Sequence, residues 1–393
     1  MKTIRDAEVS GKVALVRVDY NVTVGEDGTV GEDIRVTASI PTLKYLLDNN
    51  AKVIILSHMG RPEGVDPEFS LKPVQALVER LLGEAVLFSE DPTITGEGTK
   101  ALIAQFKESD TRVMLLENVR YRQEDADNDE AFSQELAGLA DLFVMDAFGA
   151  SHRKQSSTYG VANYIQTYCG LLLEKEVKYL GDVISNPDRP FCVAVGGSKV
   201  SDKIEVFMKM LETADCLLIG GAMAFTFLAA TGVDVGTSKL EKEKIELAGM
   251  ILEKAQEENV NFLLPLDVVC SESFDGGNPE IYDVEEIPAN QMGLDIGPKT
   301  IEAFKAVISQ SNTILFNGPM GVFENPIYAN GTAELFEAMA NSGAVTIVGG
   351  GDSAAAASVL GFDKQLTHIS TGGGASLEML EGKVLPGVEI CNW

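Results

Sequence analysis

The sequence is poor in the residues that build disulfide frameworks, metal clusters and membrane spans. Its five cysteines are scattered and form no CxxC pair, and it has only three histidines. These counts favour reduced, structural cysteines and argue against a zinc cluster. The longest apolar stretch, 216–230, is too short for a bilayer-spanning helix and contains two adjacent glycines. The first residues lack the apolar run of a signal peptide, so we expect a cytoplasmic protein that enters no membrane.

Basic residues are also scarce. The chain carries 31 Lys and Arg against 59 Asp and Glu, which gives a formal net charge of -28. Such a charge repels nucleic acid and anionic lipid, so we expect neither as a partner. Of the ten arginines, nine precede residue 154 and only Arg189 follows it. Because guanidinium groups bind carboxylates and phosphates in a bidentate way, this uneven distribution predicts a small-anion site in the first half.

The length of 393 residues exceeds what one hydrophobic core usually supports, which predicts two domains. Short apolar, β-rich runs alternate with segments of helical composition, such as 240–257, along the chain. This alternation predicts α/β architecture in both domains, with parallel sheets flanked by helices. The predicted strands are 13–18, 53–57, 113–116, 142–145, 191–195, 216–219, 262–266, 313–316 and 345–348.

A charged segment at 174–190 separates the two halves. Its helical opening runs into Asn186-Pro187 and Arg189-Pro190, and both Xaa-Pro pairs favour the end of a helix. We therefore predict an N-terminal domain at 1–173, an interdomain helix or hinge at 174–190 and a C-terminal domain at 191–379. The last stretch, about 380–393, has no pattern of its own and is predicted to pack back on the N-terminal domain.

Polar side chains follow the predicted strands of the first half. A single arginine after a strand is usually a surface residue, but here charged and hydrogen-bonding residues follow four strands in succession. Ligands of parallel sheets bind at the carboxyl ends of the strands, so this set predicts a pocket for a phosphate or carboxylate. The candidates are Asp19, Asn21, Arg35, His58, Arg61, Arg120 and Arg153.

The strands of the second half are followed instead by glycines, in GGSKVSDK, GGAMAFTF, NGPMGVFE and GGGDS. Glycines between a strand and a helix let backbone N–H groups approach phosphates, which indicates a nucleotide. The chain has neither GxxxxGK[ST] nor a GxGxxG after a strand, so it is not a P-loop or a dinucleotide-binding protein of the common type. Lys199 and Lys203 could also share an exposed helix face, and Asp352 could be a helix N-cap.

The ordered motifs resemble those of the phosphoglycerate kinase family. The resemblance extends from RVDYN at 17–21 to EGKVLPG at 381–387 and includes, in the family's order, SHMGRP, LLENVRY, DAFGASHR, GGSKVSDKI, LPLDVV, GLDIGP, NGPMGVFE, GGGDS and STGGGASLE. It implies two α/β domains that face a cleft, with the C-terminal tail on the N-terminal domain. It also implies reversible phosphoryl transfer between 1,3-bisphosphoglycerate and MgADP, with 3-phosphoglycerate and MgATP as products.

Carried over residue by residue, the resemblance assigns the seven candidates of the first half to the 3-phosphoglycerate site. Arg35 and Lys199 are the expected catalytic pair on either side of the transferring phosphoryl group. Asp352 is expected to hold Mg²⁺, and Glu324 to contact the ribose. The expected nucleotide-binding residues are Lys199, Lys203, Gly293, Asn317, Glu324, Gly350, Gly351, Asp352 and Ser353.

Phosphoryl transfer depends mainly on positioning and on cationic stabilisation, which explains a site rich in Arg, Lys and Gly with no nucleophile. The attacking oxygen is already an anion, so we expect His58 to bind the substrate and not to shuttle protons. Three other interpretations remain: a two-lobed binding protein for a small anion, a dehydrogenase, and an inactive scaffold with this fold. We expect a monomer, because the site needs no second chain.

Overall fold

The computed structural model describes residues 1–25, 27–31, 33–275 and 278–392. Positions 26, 32, 276, 277 and 393, which fall within the predicted domains and tail, lie outside the described residues. The chain forms two compact units. Unit 1 contains Met1–Lys178 and the segment that begins at Lys383, and unit 2 is Tyr179–Gly382.

Unit 1 contains a parallel sheet whose strands lie in the order β3-β4-β2-β1-β5-β6. The strands are β1 (Val13–Arg17), β2 (Lys52–Leu56), β3 (Val86–Phe88), β4 (Val113–Leu115), β5 (Leu142–Met145) and β6 (Thr167–Cys169). The helices between and after them are α1 (Ile34–Asp48), α2 (Lys72–Leu82), α3 (Glu97–Glu108), α4 (Gln123–Ala126), α5 (Glu130–Ala137) and α6 (Leu171–Glu176).

The central strands of unit 1 are buried on both faces, because helices cover the sheet on both sides. Every residue of β1 and β5 is buried, and both strands consist mainly of apolar residues. Helix α2 shows how a helix covers such a sheet: Val74, Leu77 and Val78 face the core, while Gly83 ends the helix in a left-handed conformation.

Unit 2 contains a second parallel sheet, in the order β15-β14-β13-β7-β8-β9, and a three-stranded antiparallel sheet, in the order β11-β10-β12. The strands are β7 (Phe191–Val195), β8 (Cys216–Ile219), β9 (Asn261–Leu263), β10 (Asp267–Ser271), β11 (Glu280–Asp283), β12 (Met292–Ile296), β13 (Thr313–Asn317), β14 (Val345–Val348) and β15 (His368–Ile369). The helices are α7 (Ile204–Thr213), α8 (Met223–Ala230), α9 (Ile245–Glu257), α10 (Pro298–Ile308), α11 (Asn330–Asn341), α12 (Gly351–Val359) and α13 (Gly374–Leu380).

The structure confirms the predicted α/β class, and eight of the nine predicted strands agree with it to within a residue at either end. The exception is 262–266, where the strand is Asn261–Leu263, because Pro265 lacks the N–H group that a ladder needs. The predicted helix 240–257 begins only at Ile245, after a short 3-10 turn. The antiparallel strands β10 to β12 were not predicted, and neither were the short strands β3, β6 and β15.

The chain passes between the two units twice. Helix α6 continues into a π-helical stretch, Val177–Val183, and the division between the units falls at Lys178 and Tyr179. The second passage is at Gly382 and Lys383, after which the chain forms α14 (Pro386–Glu389) in unit 1. Among the described residues, no helix is both long and apolar enough to cross a bilayer.

The last segment is held on unit 1 by backbone hydrogen bonds. Gly387 N–H donates to Ser151 O at 2.8 Å, and Lys2 N–H donates to Cys391 O at 2.7 Å. Lys2 O accepts in turn from Cys169 N–H at 2.8 Å, so the two ends of the described chain lie together beside β6. The first residues therefore pair with the edge strand β6, where Thr3 also bridges Cys169, and the last segment pairs in turn with those first residues.

Candidate functional site

The sheet of unit 1 places four strand ends side by side. Strand β1 lies between β2 and β5, and β4 lies beyond β2. The chain order reverses at β1, and such a switch point is where parallel sheets bind ligands, outside the carboxyl ends of the strands. The predicted residues of the first half follow these four strands or begin α1, so the topology gathers their backbone positions at one edge.

Asn21 connects the loops that follow β1 and β2. Its Oδ1 accepts a hydrogen bond from Gly60 N–H at 2.8 Å, and its own N–H donates to Asp19 Oδ1 at 3.2 Å. Arg35 lies in the first turn of α1, where Asp33 caps the helix by accepting from Arg35 N–H at 2.8 Å. The Arg35 guanidinium donates to Asn21 O. The first turn of α1 is thereby tied to the loop after β1.

His58 lies at the centre of this group and is buried, with 4% of its surface exposed. Its Nδ1 lies 3.1 Å from Arg17 Nη2, and its Nε2 lies 3.9 Å from Asp19 Oδ1. Burial lowers the pKa of His58 well below its ordinary value, and four surrounding arginines, Arg17, Arg120, Arg153 and Arg35, lower it further. His58 is therefore neutral at pH 7.

Arg120 and Arg153 complete the positive group, whereas Arg61 stands apart. Arg120 donates to Gly60 O, and burial, with the charges of Arg17 and Arg153, lowers its pKa to about 10. Arg153 Nε lies 3.3 Å from His152 Nε2. Arg61 is exposed and makes no hydrogen bond or ion pair with the described residues. The structure thus brings six of the seven predicted residues together and leaves Arg61 at the surface.

The positive group has a physical consequence. Several guanidinium groups lie within range of each other, and few carboxylates are near enough to compensate them. Like charges repel at short range in a partly buried site, so a ligand with several negative charges relieves this repulsion when it binds. The geometry therefore suits a small, multiply charged anion.

Sequence reasoning missed three residues that support this group: Arg17, Asp125 and Ser157. Arg17 is fully buried at the end of β1 and donates from Nε to Ser157 Oγ at 3.1 Å. Ser157 N–H donates to Asp125 Oδ1 at 2.8 Å. One signal was available, because an arginine that ends the apolar strand VALVR must be buried and therefore needs partners.

Unit 2 also places four strand ends side by side, after β14, β13, β7 and β8. Here the loops interlock through their backbones. Gly197 N–H donates to Pro319 O at 3.0 Å, and Gly221 N–H donates to Met320 O at 2.8 Å. A Cβ atom on Gly196 would lie 2.1 Å from Pro319 O, so only glycine fits there. The loops after β7, β8 and β13 thus form one close-packed backbone surface.

Lys203 holds two of these loops together. Its Nζ donates to Gly196 O at 2.9 Å and to Asn317 O at 2.6 Å. Burial lowers its pKa to about 8, although the negative charges of Asp352 and Asp202 oppose this shift. Lys199, by contrast, is exposed and makes no hydrogen bond or ion pair with the described residues. The two lysines therefore do not share one exposed face.

Asn317 and Ser353 connect the loops after β13 and β14. Asn317 is buried, its Nδ2 donates to Gly349 O at 3.0 Å, and its Oδ1 has no hydrogen-bond partner among the described residues. Gly318 N–H donates to Ser353 Oγ at 2.6 Å. Gly350 and Gly351 begin α12 directly beside them. A buried amide oxygen without a partner is costly, and a ligand donor would satisfy it.

A pocket of about 260 Å³ opens beside these loops, entirely within unit 2. Of the predicted residues, Gly293, Glu324 and Asp352 line it, and Phe225, Val268, Phe274 and Val322 contribute apolar walls. A Cβ atom on Gly293 would lie 2.1 Å from Phe225 Cζ, so the wall requires glycine there. Sequence reasoning did not find the apolar walls, because they come from four separate segments. An apolar pocket beside backbone N–H groups suits a planar base joined to phosphates.

Asp352 is the residue of this site that could hold a metal ion. The alternative that it caps α12 is wrong, because Gly350 occupies the N-cap position. The Asp352 carboxylate is exposed at the pocket and makes no hydrogen bond or ion pair with the described residues. Mg²⁺ typically binds one or two carboxylates together with nucleotide phosphates, so a single free carboxylate fits. Where the structure describes the chain, no three His, Cys, Asp or Glu residues form a metal cluster.

Comparisons with known proteins agree on one family. The model of the phosphoglycerate kinase family matches residues 4–383. Phosphoglycerate kinases from two strains of Clostridium botulinum are 49% and 48% identical over 393 and 394 residues, which is 100% of this chain and 98% of each relative. The solved phosphoglycerate kinase of Coxiella burnetii aligns with this chain at a TM-score of 0.88 and 36% sequence identity. The alignment covers 99% of this chain and 98% of the Coxiella chain. The solved phosphoglycerate kinase of Pyrococcus horikoshii aligns at a TM-score of 0.85 and 31% sequence identity, and the alignment covers 100% of this chain and 98% of the Pyrococcus chain.

Proposed function

Because the chain belongs to the phosphoglycerate kinase family, we propose that each unit binds one substrate of the family's reaction at the site described above. The chain is a phosphotransferase with a carboxyl group as acceptor, and its reaction is that of the family, reversible phosphoryl transfer between 1,3-bisphosphoglycerate and ADP. The finer proposal concerns the residues that bind, the metal ion and the motion.

Unit 1 binds 3-phosphoglycerate or 1,3-bisphosphoglycerate. The guanidinium groups of Arg120 and Arg153 contact its phosphate and carboxylate oxygens, and Arg61 turns in from the surface. His58 donates an N–H group, and Asp19 and Asn21 contact the hydroxyl or carboxylate oxygens. The support for this assignment is the group of arginines around a neutral His58, which has too few carboxylates to balance it.

Unit 2 binds ADP or ATP. The base enters the pocket beside Gly293 and Phe225, Glu324 contacts the ribose, and the phosphates approach the glycine loops and Lys203. Asp352 would hold Mg²⁺, which would supply positive charge to neutralise the phosphate oxygens of the nucleotide. Asn317, Gly350, Gly351 and Ser353 shape the loops that face the phosphates.

Transfer is direct, from one bound substrate to the other. Arg35 and Lys199 contact the transferring group from opposite units, where they stabilise the charge that develops on its equatorial oxygens. The attacking oxygen is already ionised, so the site needs no general base. Since the two residues belong to different units, the reaction requires closure about the 174–190 segment.

The enzyme works as a monomer, because each site is built from residues of a single chain. Its place of work is the cytoplasm, as expected for a glycolytic enzyme of this family. It binds no nucleic acid or membrane, since the net charge of -28 repels both. Its partners are the two pairs of small substrates.

The observation that carries the proposal is the arrangement of charged strand ends in one unit and interlocked glycine loops in the other. The test is a coupled assay with ATP, Mg²⁺ and 3-phosphoglycerate, in which glyceraldehyde-3-phosphate dehydrogenase reports 1,3-bisphosphoglycerate through NADH oxidation. We expect turnover that Lys199→Ala abolishes and Lys364→Ala, an exposed lysine of the same unit, leaves unchanged. Folded protein that binds nucleotide but shows no turnover would favour the binding-protein or scaffold interpretation.

A further inference from the structure

Arg17 is a charged residue that the proposed function does not use. It ends β1, the strand between β2 and β5, and its side chain is fully buried. Burying a charge is costly unless hydrogen bonds and an opposite charge compensate it. The Arg17 guanidinium donates to Val18 O, to Ser157 Oγ at 3.1 Å and to His58 Nδ1 at 3.1 Å. A buried charge so placed below a binding site calls for a functional explanation.

The contact between Arg17 and His58 fixes the position of a proton. A guanidinium group has only donors, so His58 Nδ1 must accept and cannot carry a hydrogen. A neutral imidazole carries its single hydrogen on the other nitrogen, which is Nε2. His58 Nε2 lies 3.9 Å from Asp19 Oδ1, on the side of the ring where the candidate ligand residues gather. The ring therefore directs its single N–H group towards the substrate side.

The surroundings of His58 keep the ring neutral. The charged groups that face it are Arg17 from β1, Arg35 from α1, Arg120 and Arg153 from the loops after β4 and β5, and Asp19 from the loop after β1. Four positive groups against one carboxylate oppose a further positive charge, and burial adds to this effect. A second proton on Nδ1 would also face the Arg17 N–H group directly.

We propose that Arg17 is a positioning residue, which holds His58 in the Nε2–H tautomer so that the ring offers one N–H donor to an oxygen of the bound phosphoglycerate. The inference rests on the proposed function, because it takes 3-phosphoglycerate as the ligand of unit 1. It adds a residue that does not touch substrate and acts through another.

Arg17 is itself held in place by two other residues, Ser157 and Asp125. Ser157 accepts from Arg17 Nε, and Ser157 N–H donates to Asp125 Oδ1, so the buried carboxylate and the buried guanidinium share one partner. The negative charge of Asp125 compensates the charge of Arg17. These contacts hold the guanidinium in the orientation in which its Nη2 lies 3.1 Å from His58 Nδ1. Ser157→Ala removes one anchor and keeps every charge, which makes it the milder companion to an Arg17 substitution.

The direct test is nitrogen NMR of the ligand-free protein, in which His58→Gln identifies the His58 signals among three histidines. We expect a neutral ring with its hydrogen on Nε2 from pH 6 to pH 8. In Arg17→Met, which removes the donor and its charge, or in Ser157→Ala, the Nδ1–H tautomer should appear and the ring should titrate at a higher pH. A cationic His58 at pH 7, hydrogen on Nδ1 in the native protein, or an unchanged ring in both variants would overturn the inference.

Kinetics supply a second readout. Gln places an amide N–H near the position of Nε2, whereas Asn places one near Nδ1. His58→Gln should therefore keep most of the affinity for 3-phosphoglycerate, whereas His58→Asn should raise KM about 10- to 100-fold, the effect of one lost hydrogen bond to an anion. KM should be independent of pH between 6 and 8 in the native enzyme and should depend on pH in Ser157→Ala. Equal KM values for the Gln and Asn variants would overturn the inference.

The two proposals fail in different ways. If the native protein shows the Nε2–H tautomer but no turnover with 3-phosphoglycerate, the proposed function is wrong while the role of Arg17 towards His58 stands. If the enzyme is active but the tautomer is reversed, the role of Arg17 is wrong while the proposed function stands. Arg80→Ala, an exposed arginine of unit 1, controls for the general loss of positive charge and should change neither readout.

Discussion

In unit 1, four neighbouring strand ends carry charged side chains, whereas in unit 2 four neighbouring strand ends carry glycines. The sheets have the same arrangement around their switch points: β1 lies between β2 and β5, and β7 lies between β8 and β13. Both use the edge where parallel strands end. The difference lies in what the strand ends present, which is guanidinium groups in unit 1 and backbone N–H groups in unit 2.

This difference fits the two kinds of ligand. A small acid with a phosphate has little apolar surface, so its affinity comes from charge and from bidentate hydrogen bonds. A nucleotide adds a planar base, so an apolar pocket can contribute to affinity while glycine loops receive the phosphates. In the proposed function, one sheet topology therefore serves two binding modes, and the residues after the strands decide between them.

The largest effect should come from removing Arg35 or Lys199, the two residues proposed to act on the transferring group. We expect Arg35→Ala to lower kcat by about 10³-fold, since cationic groups that stabilise a phosphoryl transition state contribute effects of this order. Lys199→Ala should do the same from the other unit. Steady-state kinetics with both substrates measure the effect, with Arg80→Ala as control. If Arg35→Ala raised only KM for 3-phosphoglycerate, Arg35 would bind both states equally and would have no transition-state role.

A methyl group added to the glycine loops of unit 2 should weaken binding of the nucleotide and leave binding of 3-phosphoglycerate unchanged. In Gly196→Ala, the new Cβ lies 2.1 Å from Pro319 O, so the loops after β7 and β13 must move apart. We expect nucleotide affinity to fall by about 10- to 100-fold, the equivalent of the 1–3 kcal/mol typical of overpacking, with no change in 3-phosphoglycerate affinity. Calorimetry with each ligand measures both. Gly249→Ala, in the middle of α9 with open space around it, is the matched control and should be neutral or stabilising.

The proposed metal ligand, Asp352, gives a smaller test of the difference between the two units. Asp352→Asn removes a hard anionic ligand but keeps the shape of the side chain. We expect the Mg²⁺ concentration for half-maximal activity to rise about tenfold, while binding of 3-phosphoglycerate in unit 1 is unchanged. Activity titrated with Mg²⁺ at fixed total nucleotide gives the answer, and Asp363→Asn, exposed in unit 2, is the control. An unchanged Mg²⁺ dependence would show that Asp352 does not hold the ion.

The smallest effect concerns stability and reveals a feature that the units share. Burial raises the pKa of Asp146 in unit 1 and of Asp295 in unit 2 to about 7. Each accepts backbone N–H groups at the start of a helix: Asp146 Oδ1 from Leu172 and Leu173 of α6, and Asp295 Oδ2 from Gly331 of α11. Between pH 4 and pH 7 the folded state keeps protons that the unfolded state has lost. The free energy of unfolding therefore falls as pH rises through this window, by at most about 1.4 kcal/mol per pH unit for each carboxyl.

An amide cannot ionise, and at position 146 it keeps the one oxygen that accepts both N–H groups. We therefore expect Asp146→Asn to flatten this pH dependence and to stabilise the protein at pH 8 relative to its native form. Asp295→Asn should also flatten the pH dependence but should destabilise the protein, because Asp295 accepts through both oxygens, Oδ1 from Ile296 N–H and Oδ2 from Gly331 N–H, and an amide has only one. Urea unfolding at pH 5 and pH 8 measures the change, with Asp363→Asn as the neutral comparison. A variant that kept the native slope would show that its carboxyl is already ionised at pH 5.

The charged and glycine-rich strand ends were accessible from the sequence, because short apolar runs indicate buried strands and the residues directly after each run are then at a strand end. The antiparallel strands β10 to β12 were not, since their exposed and buried residues give no continuous apolar run. The partners of Arg17 were also hidden. The apolar strand that Arg17 ends indicates that it is buried, but its role depends on Ser157 and Asp125, about 140 and 108 positions further along the chain.

The pocket of unit 2 was hidden for a similar reason. Gly293 was expected from a family motif, but the reason for glycine there is the ring of Phe225, which lies on a different helix. Lys203 was expected at the nucleotide, and in the structure its ammonium group joins Gly196 O and Asn317 O. Such long-range contacts follow from packing and cannot be inferred from local spacing.

Unit 1 is built from two separate stretches of chain, whereas unit 2 is continuous. During synthesis on the ribosome, all of unit 2 emerges before Gly387 and Cys391 can reach Ser151 and Lys2. The first unit to be translated is thus the last to be completed, and until then Ser151 O and Lys2 N–H lack the partners that they have in the folded chain. For that interval unit 1 is a folding intermediate while unit 2 can already fold, so the release of the last residues from the ribosome sets the moment at which the enzyme is complete.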